Sequence, residues 1–238
     1  MKLLVTILLL ATLNVTDKTN NLKAAEPMLY YIVREPKIKS GKPPLLILMH
    51  GLGSNEKDLF SFADQLPGRF LVVSARAPYT MGQDSYAWYQ LDFSTGKQVM
   101  NSEQAEKSRN TIIQFIGQLK GKYPFDEAQV YLCGFSQGAI LSYSVGLTRP
   151  DLVKGIAVMS GKILDEVKPK ISTDKKLQQL RVFISHGTND NVIDIHYARD
   201  SKAYLEKLKV NFTYKEYAEG HGINRDMLSD LVGWLNKE

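Results

Sequence analysis

Cysteine is almost missing from this chain: among 238 residues there is one, Cys133. A single thiol excludes an intrachain disulfide framework and a multi-thiolate metal site. Cys133 sits in the apolar run 130–133, so it is expected to be a small buried side chain rather than a reactive one. Long blocks of like charge are missing too. The net charge is +5, and the clusters Lys168-Pro169-Lys170 and Lys175-Lys176 read as solvated faces, so no nucleic-acid partner is expected. No internal repeat, low-complexity segment or interdomain linker is visible. No apolar run reaches the ~20 residues that a spanning helix needs, and no integral membrane domain is expected.

What is present begins with a leader. Met1-Lys2 is a short positive start, residues 3–13 are apolar apart from two threonines, and Asn14 to Lys18 are polar. That is the layout of a secretory signal peptide. A clean cleavage site is not evident, and Ala24-Ala25 is a late, imperfect one. The expected division is a signal peptide over 1–25 and one domain over 26–238, a length able to bury a sizeable core. Export is the expectation, with a cytoplasmic location as the alternative.

Further along, residues 29–33, 45–49, 70–74, 130–133, 155–159, 181–185 and 210–217 read as strands, several of them continuous apolar runs suited to a sheet buried on both faces. Residues 56–65, 102–120, 139–145, 195–208 and 223–236 read as helices, with Asp194 as an N-cap. Residues 76–101 are long, irregular and rich in aromatics. Strands alternating with helices imply an α/β fold with a mostly parallel central sheet covered on both faces. Residues 161–180 are too few for a large cap domain.

The chemistry centres on Gly134-Phe135-Ser136-Gln137-Gly138. A strand precedes it and a helix follows, the context in which G-x-S-x-G forms a nucleophile elbow. The sharp turn demands small residues on either side of the serine. It also sets Ser136 at a helix N-terminus, where negative charge is favoured.

A serine hydroxyl needs a base, and the chain has four histidines. His50 precedes the serine, His196 lies in a charged helix, and His186 equally suits a structural role. His221, in a turn between the last strand and the last helix, fits the order serine, acid, histidine. Asp190, on the loop after the strand at 181–185, is the preferred acid. Asp194 competes, but its spacing suits a helix cap; Asp165 and Asp174 lie before that strand. The oxyanion needs preorganised donors. The Gln137 backbone N–H is one, and the Leu52 N–H in His50-Gly51-Leu52-Gly53 is the candidate for the other. The aromatic stretch 79–93, with Trp88 as the candidate substrate contact, would either wall a pocket or pack the long loop onto the domain.

These motifs, with Arg76-Ala77-Pro78 and Trp88-Tyr89 between them, resemble the phospholipase/carboxylesterase family of α/β-hydrolases, which includes the acyl-protein thioesterases. The resemblance runs from about Leu29 to the end. It implies an α/β-hydrolase fold, a Ser136–Asp190–His221 triad and an oxyanion hole at Leu52 and Gln137. It also implies a serine esterase that needs no metal or organic cofactor. Two departures stand out: Asp194 takes the place of a frequent proline, and the leader is unlike the cytosolic thioesterases. The expected substrate is a small-molecule or carbohydrate-linked ester with a short acyl group. A feruloyl or acetyl esterase, a lysophospholipase or a thioesterase are the alternatives, and a non-catalytic binding protein of the same fold is the contrasting reading.

Overall fold

Continuous apolar runs on short strands decide the architecture, because each central strand has two faces to bury. The computed structural model describes residues 28–38, 41–92 and 99–237. The expected leader, 1–25, and Phe93 lie outside the described residues. The chain runs through β1 (Tyr31–Arg34), β2 (Leu45–Met49), α1 (Lys57–Phe60) and β3 (Leu71–Ala75). Two small hairpins follow, β4 (Tyr79–Gly82) with β5 (Ser85–Ala87) and β6 (Leu91–Asp92) with β7 (Val99–Met100). Then come α2 (Ser102–Lys120), β8 (Val130–Phe135), α3 (Gln137–Thr148), β9 (Gly155–Met159), β10 (Arg181–Gly187), α4 (Ile195–Lys207), β11 (Asn211–Tyr217) and α5 (Arg225–Asn236).

The central sheet has seven strands in the order β1-β3-β2-β8-β9-β10-β11. Only β1 pairs antiparallel, against β3; the other pairs are parallel. Residue parity splits the core. Leu45, Ile47, Val130 and Leu132 face the layer of α2, α3 and α4, whereas Leu46, Leu48, Tyr131 and Cys133 face α1 and α5. Helix α3 is buried along nearly its whole length between sheet and α2, which is why it carries small and apolar residues all round. Helices α2, α4 and α5 are capped by Asn101, Asp194 and Asn224, each side chain accepting a backbone N–H of the first turn.

Two expectations are corrected here. The helix expected over 56–65 is one turn, α1, followed by a 3₁₀ turn at Ala63–Gln65. The Ser61 hydroxyl donates to the Asp58 carbonyl and so competes with the helical ladder. The stretch 76–101, read as irregular, instead holds the two hairpins. Between β9 and β10 there are only two 3₁₀ turns, Lys168–Lys170 and Lys175–Gln179, and no cap domain. Among the described residues no helix is long and apolar enough to cross a membrane.

Candidate active site

Every parallel strand of the sheet delivers its C-terminal end to the same edge, and the candidate residues gather there. At the end of β8 the chain turns through Ser136, whose φ of 53° and ψ of −115° lie where an L-residue is strained. The turn is held because its flanks are glycine: a Cβ on Gly134 would meet the Gly138 backbone at 2.2 Å, and one on Gly138 would meet the Met49 carbonyl oxygen at 2.0 Å. The Ser136 N–H donates to the Met159 carbonyl and its own carbonyl accepts from Ile140, which locks strand to helix.

Ser136 and His221 are 3.0 Å apart, Oγ to Nε2, and His221 Nδ1 is 2.8 Å from Asp190 Oδ2. A carboxylate only accepts, so His221 carries its proton on Nδ1 and offers the Nε2 lone pair to the serine hydroxyl. The Phe135 ring packs on the imidazole at 4.9 Å between centroids. The two loops can meet because Gly187 lacks a side chain; a Cβ there would lie 2.3 Å from the Glu219 and Gly220 carbonyl oxygens. Asn189 N–H donates to Glu219 O, tying the acid loop to the histidine loop.

Burial would push the Asp190 carboxyl up, but hydrogen bonds from His221, Ile193 and Val192 outweigh it and hold the group below the usual carboxylate range. Asp194 is placed differently. It is an exposed cap whose Oδ1 accepts from the His196 backbone and ring, away from His221. The structure thus brings together Ser136, Asp190 and His221, and leaves Asp194 apart.

Leu52 and Gln137 both line the cleft beside Ser136. Leu52 is held there by its neighbours. Gly51 is so close that a Cβ on it would lie 3.3 Å from the Ser136 Cβ, and Gly53 N–H donates to Tyr86 O. Beneath this loop Glu56 is buried, and the Arg76 guanidinium grips its carboxylate with two hydrogen bonds of 2.6 and 2.8 Å. Arg76 itself lies between the rings of Tyr30 and Tyr86. Arg76 thereby fastens the loop after β2 to the end of β3.

Trp88 is the misplaced candidate. Its ring is fully buried and does not line the cleft; the indole N–H donates to the His50 carbonyl at 2.9 Å. A large ring with one polar atom packs inside when that atom finds an acceptor, and here it does. Tyr89 and Leu91, on the same stretch, reach the cleft instead. The segment is clamped by a contact that a reading of the Gln137 backbone alone leaves out. The Gln137 side-chain oxygen accepts the Trp88 backbone N–H at 3.0 Å and its amide donates to the Tyr89 carbonyl at 2.8 Å. A glutamine directly after the nucleophile, buried at a helix start, was the available signal.

The cleft has a volume of about 950 Å³. Apolar walls come from Leu91, Met100, Ile140 and Leu164, and charged side chains such as Lys162 and Asp200 lie along the rim of α4 and the β9–β10 connection. Among the described residues no group of three or more His, Cys, Asp or Glu side chains is arranged to hold a metal ion.

Comparison with known proteins gives a consistent picture. Residues 32–238 match the phospholipase/carboxylesterase family. An acyl-protein thioesterase 1 of Kluyveromyces lactis is 27% identical over 209 residues, covering 81% of this chain and 91% of that protein. The carboxylesterase SOBER1 of Arabidopsis thaliana is 24% identical, covering 81% and 89%. Among solved structures, a Bacillus cereus carboxylesterase superposes with a TM-score of 0.75 at 22% identity, over 88% of this chain and 94% of that one. At that identity the superposition speaks for the α/β-hydrolase fold.

Proposed function

Since the chain belongs to the phospholipase/carboxylesterase family, we propose that it is a serine ester hydrolase working by acyl transfer at Ser136. The observation that carries this reading is the continuous relay Ser136 Oγ, His221, Asp190, with links of 3.0 and 2.8 Å. The Ser136 oxygen attacks the ester carbonyl carbon while His221 Nε2 takes its proton. The resulting oxyanion is received by the Leu52 and Gln137 N–H groups. Collapse breaks the bond to the alcohol oxygen, which leaves with the proton from His221. Water then gives a proton to His221 and attacks the acyl-enzyme, and collapse of the second intermediate frees the acid and returns the proton to Ser136. Asp190 holds the imidazole in the required tautomer and stabilises its charged form.

With no cap over the cleft, soluble esters with short acyl groups are the proposed substrates. A second reading, deacylation of a thioester, is favoured by the thioesterase named among the relatives and by the apolar wall at Leu91, Met100, Ile140 and Leu164. A fluorophosphonate probe should label the wild type, and Ser136→Ala should lose both labelling and more than ~10³-fold of esterase kcat. Retained activity in Ser136→Ala would remove the reading. For the acyl group, kcat/KM across p-nitrophenyl acetate, butyrate, octanoate and palmitate is expected to peak at the short end. A steady climb toward palmitate would move the assignment to the second reading.

A further inference from the structure

Asp190 receives more donors than a triad requires. Its Oδ1 accepts the Val192 and Ile193 N–H groups at 2.9 and 2.8 Å. Its Oδ2 accepts His221 Nδ1 at 2.8 Å, and lies 3.2 Å from Nε2 of a second imidazole, His186. His186 closes β10 and its side chain is fully buried. The same Nε2 is 2.7 Å from the Ile193 carbonyl oxygen. Both neighbours of Nε2 are acceptors only, so the proton of a neutral His186 ring resides there. The opposite nitrogen, Nδ1, is buried with no hydrogen-bond partner. Ser160, directly after β9, has a hydroxyl likewise buried without a partner, and its N–H donates to Ser185 O. An imidazolium would have to place a second proton on that unpartnered Nδ1, at the full cost of a buried unsatisfied donor. The charged or titratable groups felt at this ring include Asp190, His221, Asp194 and, across the strand pair, Glu216, and burial is the largest influence, holding the ring below its ordinary basicity.

We propose that His186 is a positioning residue: its Nε2–H donates to the Ile193 carbonyl and fixes the turn 190–193, whose Val192 and Ile193 N–H groups hold Asp190 Oδ1 and leave Oδ2 directed at His221 Nδ1. This rests on the proposed esterase reading. The carboxylate then cannot rotate about its Oδ1 anchors, because Val192 and Ile193 hold one oxygen and His221 the other.

The test is a set of His186 variants assayed on the active enzyme, where fluorophosphonate labelling of the wild type separately establishes the esterase reading. His186→Leu removes the donor; His186→Gln restores one at a similar distance along the side chain. The expected result for His186→Leu is a kcat lowered ~10- to 100-fold with KM within about twofold. His186→Gln should recover kcat to within about threefold of wild type. An unchanged kcat in His186→Leu would overturn the proposal, and so would His186→Gln behaving no better than His186→Leu. Should His186→Leu fail to fold, imidazole ¹⁵N shifts of the wild type decide. A neutral Nε2–H ring from pH 6 to 8 is expected, and an Nδ1–H tautomer or a titration in that interval would overturn it.

Discussion

Two strand ends of this molecule carry the same dipeptide and use it in different ways. His50-Gly51 follows β2 and His186-Gly187 closes β10; both imidazoles are buried, and burial is the main cause holding both below ordinary basicity. His50 is fully paired: Nε2 accepts the Ala77 N–H at 3.0 Å and Nδ1 donates to the Gly51 carbonyl at 2.7 Å. Those two bonds join the candidate oxyanion loop to the end of β3, and the Trp88 indole closes the bracket from the His50 carbonyl. His186 carries its proton on the other nitrogen, donates it to the Ile193 carbonyl of the loop that bears Asp190, and leaves its second nitrogen buried and unpaired. One histidine therefore braces backbone through both nitrogens, and the other through one, beside the acid. What separates them is which nitrogen meets an acceptor, a feature of the fold around them and not of the dipeptide.

The largest expected effect breaks the β10 side. Asp190→Asn substitutes an amide whose N–H₂ cannot accept from His221 Nδ1–H, so the tautomer needed by Ser136 is lost. A fall of about 10⁴ in kcat is expected, as for the corresponding change in a serine triad. Asp194→Asn, which alters only an exposed cap, should stay within about threefold, since an asparagine caps a helix as well as an aspartate. Steady-state kinetics on the two variants read the ranking, and equal losses would show that Asp190 does not orient the base.

That ranking was legible in the sequence because it depends on local grammar. The elbow glycines, the order serine, acid, histidine, and the cap spacing of Asp194 are each set within a few residues, and α2 was readable to its ends from Ile112, Ile113, Ile116 and Leu119. The reading failed where a residue's partner lies far along the chain. Trp88 looked like a substrate contact because aromatics wall pockets, but its place is decided by His50 and by Gln137, 38 and 49 residues away. The role of His186 rests on Ile193, only seven residues away, and was missed for another reason. Nothing in a His-Gly pair encodes the choice of tautomer.

A smaller effect tests the β2 side. His50→Leu leaves the buried Ala77 N–H without an acceptor, which costs about 1–3 kcal/mol. It also loosens the loop bearing the Leu52 N–H. Stability should fall first, by that amount in urea unfolding, and kcat by about tenfold as one oxyanion donor drifts. His186→Leu should show the reverse balance, with activity lost out of proportion to stability. Two variants with the same ratio of stability loss to activity loss would erase the distinction between the strand ends.

The smallest expected effect is shared by both histidines and appears as a pH dependence of stability. Each has a folded pKa below its unfolded value near 6.5, with burial the leading cause. As pH falls through the unfolded pKa, the unfolded chain takes up protons that the folded chain still refuses, so the unfolded state gains relative stability. The native protein should therefore lose stability below about pH 6.5, by at most ~1.4 kcal/mol per pH unit for each histidine, until the folded pKa is reached. The depressed carboxylates enter at lower pH. Asp190 contributes stability above its unfolded value near 3.9 and loses it only as pH falls through its lower folded value. Glu106 and Glu216, held at about 2 by Arg109 and Arg199 respectively, behave alike. Between pH 6.5 and 5 the slope thus belongs to the histidines. Urea unfolding at pH 8, 6.5, 5.5 and 5 should be flat at the top and decline below, and in His186→Gln the decline should be shallower by the share that His186 carries. An unfolding free energy constant from pH 8 to 5 would mean that neither ring is held neutral by burial, and the contrast between a doubly and a singly paired histidine would lose its common physical basis.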